Sequence, residues 1–163
     1  MKNVKISSHR SNRTSENSAI KLAKSDAILG NNTKYNLYSN QFIPLITKAD
    51  LLDRVKLQGM FDNMMTGGSS LHINLDTTVD DSSLLVDFMK QVIKQGVIYC
   101  SLNYNIQLCK HGHVSVGKKD TCAICGGKIE DNFIRAVGFL TSTKNWNVVR
   151  REEDYPNRQF YKL

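Results

Sequence analysis

No apolar run in this sequence approaches the ~20 residues that a helix needs to cross a bilayer. The basic start, MKNVKISSHR, is not followed by the apolar stretch of a secretory signal. These absences argue against a membrane span and an export signal, and the chain reads as cytoplasmic. Internal repeats and low-complexity segments are missing too, which sets aside solenoids and simple linkers. A disulfide framework is not expected, because three of the four cysteines cluster with histidines in a metal pattern. Acidic residues are outnumbered 15 to 22, giving a formal net charge of +7. That balance permits contact with a polyanion or an acidic protein and says nothing of fold. What remains, 163 residues at 40% hydrophobic, suffices for one domain with a core.

Residues 1–33 are polar, and the first fifteen read as disordered, with a short helix in SAIKLAKSDAIL carrying Ile20, Leu22 and Ala23. The pattern sharpens over 34–108. YNLYSNQFIPL reads as an extended segment closed by Pro44. TKADLLDRVKLQGMFDNMM reads as a helix capped by Thr47, with Leu51, Leu52, Val55, Gly59 and Met60 on one face, ended by Gly67 and Gly68. SLHINLD alternates like a strand. DDSSLLVDFMKQVIKQG predicts a helix capped by Asp80 or Asp81, with an apolar face of Leu84, Leu85, Phe88, Met89, Val92 and Ile93. VIYCSLNYNIQL then reads as one long strand with Ile98, Cys100, Leu102, Tyr104, Ile106 and Leu108 on a single face. The order strand, helix, strand, helix, strand favours a small parallel sheet whose edges want partners.

Residues 109–130 hold the strongest chemical signal, CKHGHVSVGKKDTCAICGGK. Cys122-x-x-Cys125-Gly126 has the form of a zinc knuckle, two thiolates on a tight turn. The facing half takes Cys109 and one of two histidines. His113 gives C-x3-H with Gly112 at the turn and is preferred, while His111 gives the shorter C-x-H and stays open. A Cys3His set is a standard structural zinc arrangement. With all four positions filled by protein, no place remains for an activated water. Cys100 stands apart on its strand and reads as a small core residue.

Residues 131–163 contain FIRAVGFLTSTKNWN, in which Gly138 sits among apolar neighbours. A strand glycine costs about 0.5–1 kcal/mol relative to alanine, so it needs a reason: a bulge, a turn, a close approach or chemistry. RAVGFLTSTKNWN followed by RREED resembles the C-terminal glycyl-radical motif of the anaerobic (class III) ribonucleotide reductases: arginine, two small or apolar residues, glycine, an aromatic and leucine, then a polar stretch and an Asn–charged segment. Here these are Arg135, Ala136, Val137, Gly138, Phe139 and Leu140, then Asn147 and Arg150 to Glu153. YSNQFIPL, TGGSSLHINLD and the cysteine-rich ribbon precede it in the family's order, so the resemblance runs from about Ser18 to the end.

That resemblance implies an α/β fold: the last strand–helix units of a glycyl-radical-enzyme barrel, then a zinc ribbon holding structural Zn2+, then a glycyl-radical loop. It implies that Gly138 stores a radical made by a separate radical S-adenosylmethionine activase with an iron–sulfur cluster. The radical generates a thiyl radical on a barrel cysteine, which starts reduction of ribonucleoside triphosphates. Glycine suits the task, because a Cα radical is stabilised when planar, and a side chain would crowd it. Val137, Phe139 and Leu140 would pack the loop away from water and oxygen. The family's reductases are several times longer, and their thiyl cysteine and nucleotide-sensing region have no counterpart here. The expectation is therefore the radical-bearing part of a split reductase, partnered by a larger chain, or a spare part for an oxygen-cleaved one. The competing reading is a basic zinc-ribbon module that binds nucleic acid through Lys110, Lys118 and Lys119, but no stack of aromatics accompanies them.

Overall fold

The computed structural model describes residues 13–31, 34–66, 69–135 and 139–163. The expected disorder of residues 1–12, the glycine pair Gly67 and Gly68, and Ala136, Val137 and Gly138 lie outside the described residues. Among the described residues the α-helices are α1 (Arg13–Ile28), α2 (Leu51–Asp62) and α3 (Ser82–Lys94). Six strands accompany them: β1 (Leu71–Leu75), β2 (Cys100–Tyr104), β3 (Ile106–Cys109), β4 (Val114–Val116), β5 (Ile129–Arg135) and β6 (Leu140–Ser142). Short turns of helix occupy 143–145 and 150–157. Residues 13–15, expected to be unstructured, begin α1, since extending a formed helix adds a hydrogen bond per residue.

The strands form two sheets. β1 and β2 pair in parallel, His72 opposite Ser101 and Asn74 opposite Asn103, with α3 as the crossover. The second sheet is antiparallel, in the order β4-β3-β5-β6. The long strand expected over 97–108 is therefore two strands in two sheets, broken at Asn105. That side chain donates to Gly117 O (2.7 Å) and Asn132 Oδ1 (3.0 Å) and accepts from Tyr155 Oη (3.0 Å). The break moves the start of the ribbon from 109 to Ile106, and β5 runs across the division expected at 130/131. The strand expected over 35–45 does not form; that segment is a loop. The far edge of β1 instead meets Tyr161, whose N–H donates to Asn74 O (2.9 Å) and whose carbonyl accepts from Asp76 N–H (3.0 Å).

α2 starts one turn later than expected. Asp50, not Thr47, caps it, accepting from Leu52 N–H at 2.8 Å. Its buried side is only part of the expected stripe: Val55 and Gly59 face inward with Arg54, Gln58 and Asp62, and Leu51 packs on the core, while Leu52 and Met60 are exposed. The polar groups are tolerated because they are satisfied. Arg54 donates to the carbonyls of Ile43 (2.6 Å), Pro44 (3.0 Å) and Thr47 and to the Tyr161 hydroxyl, which pins the loop before α2 against residues 159–161. Asp62 accepts from Gln58 Nε2 (2.7 Å), the Ser69 hydroxyl and Ile98 N–H (2.9 Å). At Gly59 a Cβ would lie 1.8 Å from Gln95 O, so only glycine lets α2 approach the end of α3.

Asp81 caps α3, as one of the two expected residues, with its carboxylate accepting from Ser83 N–H (2.8 Å) and Leu84 N–H (3.4 Å). Of the apolar face predicted for α3, only Val92 is buried. It joins Val55, Leu71, Ile73, Leu75 and Val97 in the first core cluster. Ile134, Trp146 and Tyr155 form the second, between β5 and the turns that follow β6.

Candidate metal centre and glycine hairpin

Cys109 ends β3, and β4 returns antiparallel with Val114 opposite Leu108, so residues 109–113 make a tight turn. Gly112 N–H donates to Cys109 O (2.9 Å), Cys109 N–H to His113 O (3.0 Å), and His111 N–H to the Cys109 sulfur (3.4 Å). The second turn repeats this design: Gly126 N–H donates to Cys122 O (2.9 Å) and Ile124 N–H to the Cys122 sulfur (3.4 Å). Both turns close through a glycine with positive φ, +82° at Gly112 and +67° at Gly126, where a side chain would be strained.

The turns bring one donor atom each from Cys109, His113, Cys122 and Cys125 within 4.8 Å of one another. Cys109 Sγ lies 3.5 Å from His113 Nδ1 and 3.8 Å from Cys125 Sγ, and Cys122 Sγ lies 3.9 Å from the same imidazole nitrogen. A tetrahedron with Zn–S bonds of about 2.3 Å has edges of about 3.8 Å, so these four residues could hold a metal such as zinc. His111 falls outside the group. Its Nδ1 sits 3.3 Å from Cys125 Sγ, and the ring packs where a Cβ on Gly127 would meet it at 3.1 Å. Backbone N–H groups of Cys125 and Ile124 pull the Cys122 thiol down to about 6, toward the thiolate that a metal requires. At Cys125 the Gly127 N–H acts in the same direction, but burial and the neighbouring thiols win and raise it. Burial likewise raises the Cys100 thiol, which suits an inert core residue.

The ribbon is fastened to the end of the chain. Lys118 donates to Tyr155 O (3.2 Å) and Pro156 O (2.6 Å), its ammonium 5.1 and 5.4 Å from the centroids of the Tyr155 and Phe160 rings. One of the three lysines of the candidate nucleic-acid patch is thus used internally. Gln107, buried on β3, donates to Lys119 O (2.7 Å) and Asn132 Oδ1 (3.0 Å).

β5 carries the chain from the ribbon to the glycine. β5 and β6 pair with Arg135 opposite Leu140, so residues 136–139 connect them, and Gly138 within that connection lies outside the described residues. Asp131 on β5 accepts the Ser142 hydroxyl at 2.8–2.9 Å and locks the base of the pair. Arg135 donates to Ser101 Oγ on β2 at 2.7 Å. Phe139 and Leu140, expected to bury the loop, are 62% and 53% exposed. Nothing among the described residues is placed to cover them. Beyond β6, the Trp146 ring lies 4.8 Å from the Arg158 guanidinium and 5.6 Å from that of Arg150, and edge-on to Tyr155. A cavity of about 460 Å³ opens between the 34–46 loop and the 150–158 turns. Its charged groups bond to partners on its own walls, Arg158 to Asp154 (2.6 Å) and Asn36 to Glu153 (2.9 Å).

Sequence reasoning did not single out Arg54 or the buried polar row Ser101, Asn103, Asn105 and Gln107, and it gave Lys118 a surface role. For the row over 101–107 the signal is the strict alternation itself, in which the polar residues are the more buried set. No helix among the described residues is long and apolar enough to cross a membrane.

No curated protein sequence matches this chain. The family model described as anaerobic ribonucleoside-triphosphate reductase matches residues 13–161. Among solved structures, one titled anaerobic ribonucleotide reductase is 35% identical, covers 90% of this chain and 23% of its own, and superposes with a TM-score of 0.75. Crystal structures of the Thermotoga maritima anaerobic ribonucleotide reductase, with glycerol and with MES in the active site, are 34% and 32% identical, with TM-scores of 0.66 and 0.65. They cover 85% and 80% of this chain and 23% and 22% of theirs, so the chain spans less than a quarter of the proteins it matches. With nearly its whole length matched by the family model, the chain belongs to the anaerobic ribonucleoside-triphosphate reductase family.

Proposed function

We propose that this chain is the radical-bearing part of an anaerobic ribonucleotide reductase, acting with a larger chain that holds the thiyl cysteine. Gly138 stores the radical: a radical S-adenosylmethionine activase takes one α-hydrogen atom, and the unpaired electron left on Cα spreads over the adjacent amides. The assembled enzyme then reduces ribonucleoside triphosphates to deoxyribonucleotides. Cys109, His113, Cys122 and Cys125 hold a structural zinc that stiffens the ribbon leading to the loop. A Cys3His set offers the metal no open position, so the zinc's contribution is to folding.

The observation that carries this reading is the register Arg135 opposite Leu140, which makes residues 136–139 of the RAVGFL motif the connection from β5, the strand paired with the end of β3 at Cys109, to β6. The exposure of Phe139 and Leu140 supports a second chain that covers the loop. The open apolar side of α3 supports the same partner, as does the far edge of β2, which no described strand pairs. The tie of Lys118 to Tyr155 and Pro156 argues against the nucleic-acid reading.

The test is spectroscopic. The complex with the larger chain, treated anaerobically with the activase, reductant and S-adenosylmethionine, should give an organic radical split by one α-hydrogen, and deuterated glycine should collapse the splitting. Gly138→Ala should bind zinc and the partner yet give neither radical nor deoxyribonucleotide. Normal turnover by the assembled alanine variant would overturn the reading.

A further inference from the structure

The parallel pair β1–β2 has one apolar and one polar face. On the polar face His72 stands opposite Ser101 and Asn74 opposite Asn103, and all four are buried. Buried polar side chains need partners, and three of these form a chain. Asn103 Nδ2 lies 3.3 Å from His72 Nδ1, Ser101 Oγ donates to Asn103 Oδ1 at 2.9 Å, and Arg135 Nη1 donates to Ser101 Oγ at 2.7 Å. The far end is tied as well, because His72 N–H donates to Gln41 Oε1 (2.8 Å) and Gln41 Nε2 to Ser70 O (3.0 Å).

The direction of each link follows from chemistry. A guanidinium only donates, so Ser101 Oγ must accept from it and has one proton left to give. That proton goes to the Asn103 carbonyl oxygen, which turns the Asn103 amide nitrogen toward His72. The buried Nε of Arg135 has no partner among the described residues, which leaves Ser101 as the described hydrogen-bond anchor of this side chain. Arg135 is the last residue of β5 and stands three residues before Gly138.

We propose that Ser101 is a positioning residue for the glycine connection. Oriented by Asn103 and His72, it holds the Arg135 guanidinium in one place and thereby sets where the strand releases the chain toward Gly138. The inference rests on the reading of Gly138 as the radical residue. A loop that delivers one hydrogen atom to another protein's radical and then approaches a cysteine needs such placement, since an error of about 1 Å costs on the order of 100-fold in rate.

Two measurements test it. In the full-length chain with zinc bound, Ser101→Ala should speed amide exchange in residues 135–141 by about tenfold, the loss of one charge-assisted hydrogen bond. α3 and the two cysteine turns should exchange as before. In the complex, the same variant should slow radical formation by about tenfold, and Ser101→Thr, which keeps the hydroxyl, should restore it. Arg135→Lys loses the guanidinium fork and should match Ser101→Ala; the double variant should add nothing further, and this series serves if the alanine variant folds poorly. Unchanged exchange at 135–141, a rise spread equally over α3 and the ribbon, or radical formation at the wild-type rate in Ser101→Ala would each overturn the proposal. If the wild-type complex gives no doublet, the reading of Gly138 fails and takes the positioning role with it. If the wild type gives one and Ser101→Ala is indistinguishable from it, only the positioning role fails.

Discussion

Two regions of this molecule treat their surfaces in opposite ways. From Asn105 onward, the ribbon, β5 and the last turns are tied together by polar contacts among Asn105, Gln107, Asn132, Lys118 and Tyr155, with Trp146 beside two arginines, while the tip at Phe139 and Leu140 stays open. The β1–α3–β2 unit does not close. Ile93 on α3 is 67% exposed and Ile98 before β2 is 71% exposed, and among the described residues no strand pairs the far edge of β2. Parallel strands are ordinarily buried on both faces. On the proposed reading, the difference separates what this chain stabilises alone from what it would offer to a larger chain.

Removing the metal should disturb the comparison most. Structural zinc sites contribute roughly 10–16 kcal/mol in small domains. Cys122→Ser should abolish stoichiometric zinc and unlock β3–β6, measured by metal analysis and loss of amide protection there. If protection in β3–β6 survives without metal, the polar network closes that region by itself.

Arg54→Ala comes next. It strips three carbonyls and the Tyr161 hydroxyl of a buried donor, and each acceptor left buried and unsatisfied costs about 1–3 kcal/mol. Thermal unfolding should show the drop, with residues 158–163 exchanging first, because Arg54 links them to the loop before α2.

Two neighbours on α3 sharpen the contrast. Val92→Ala, in the core, should cost about 1–2.5 kcal/mol. Ile93→Glu, one residue on, should leave the isolated chain within about 0.5 kcal/mol of wild type. It should nevertheless weaken co-purification with the larger chain, because a charge would enter an apolar interface. Equal destabilisation by both would mean that the exposed side of α3 is not an interface.

The smallest effect concerns pH. Burial raises the Tyr155 phenol to about 12. A raised acid contributes stability that is complete below its unfolded value near 10 and is lost as pH climbs toward 12. Alkaline loosening of the ribbon-to-tail contact should therefore fall between about pH 10 and 12. Tyr155→Phe should cost about 1 kcal/mol through the lost bond to Asn105 and remove that step from an absorbance titration.

The comparison also explains what could be read without coordinates. The cysteine turns were legible because a chelate is local: spacing and one turn glycine define each half, and the two halves meet where β3 pairs with β5 within about twenty residues of chain. β1, α3 and the parallel pairing of β1 with β2 were legible from period and crossover length. The split of the 97–108 segment was not, because Tyr104–Asn105–Ile106 alternates without interruption and only the distant partners Gly117, Asn132 and Tyr155 mark Asn105 as the break.

The sequence by itself determined the family, the candidate metal ligands with the choice between His111 and His113 left open, and the motif around Gly138, since each depends on residue type and close spacing. Tertiary structure decided which side of each alternating segment faces inward. Residues near and far from one another in sequence compete to satisfy buried polar groups, and that competition put Arg54, Ser101 and Gln107 inside while leaving Ile93, Ile98 and Phe139 exposed. It also brought Arg135 to Ser101, thirty-four residues earlier in the chain, a contact that no local pattern contains.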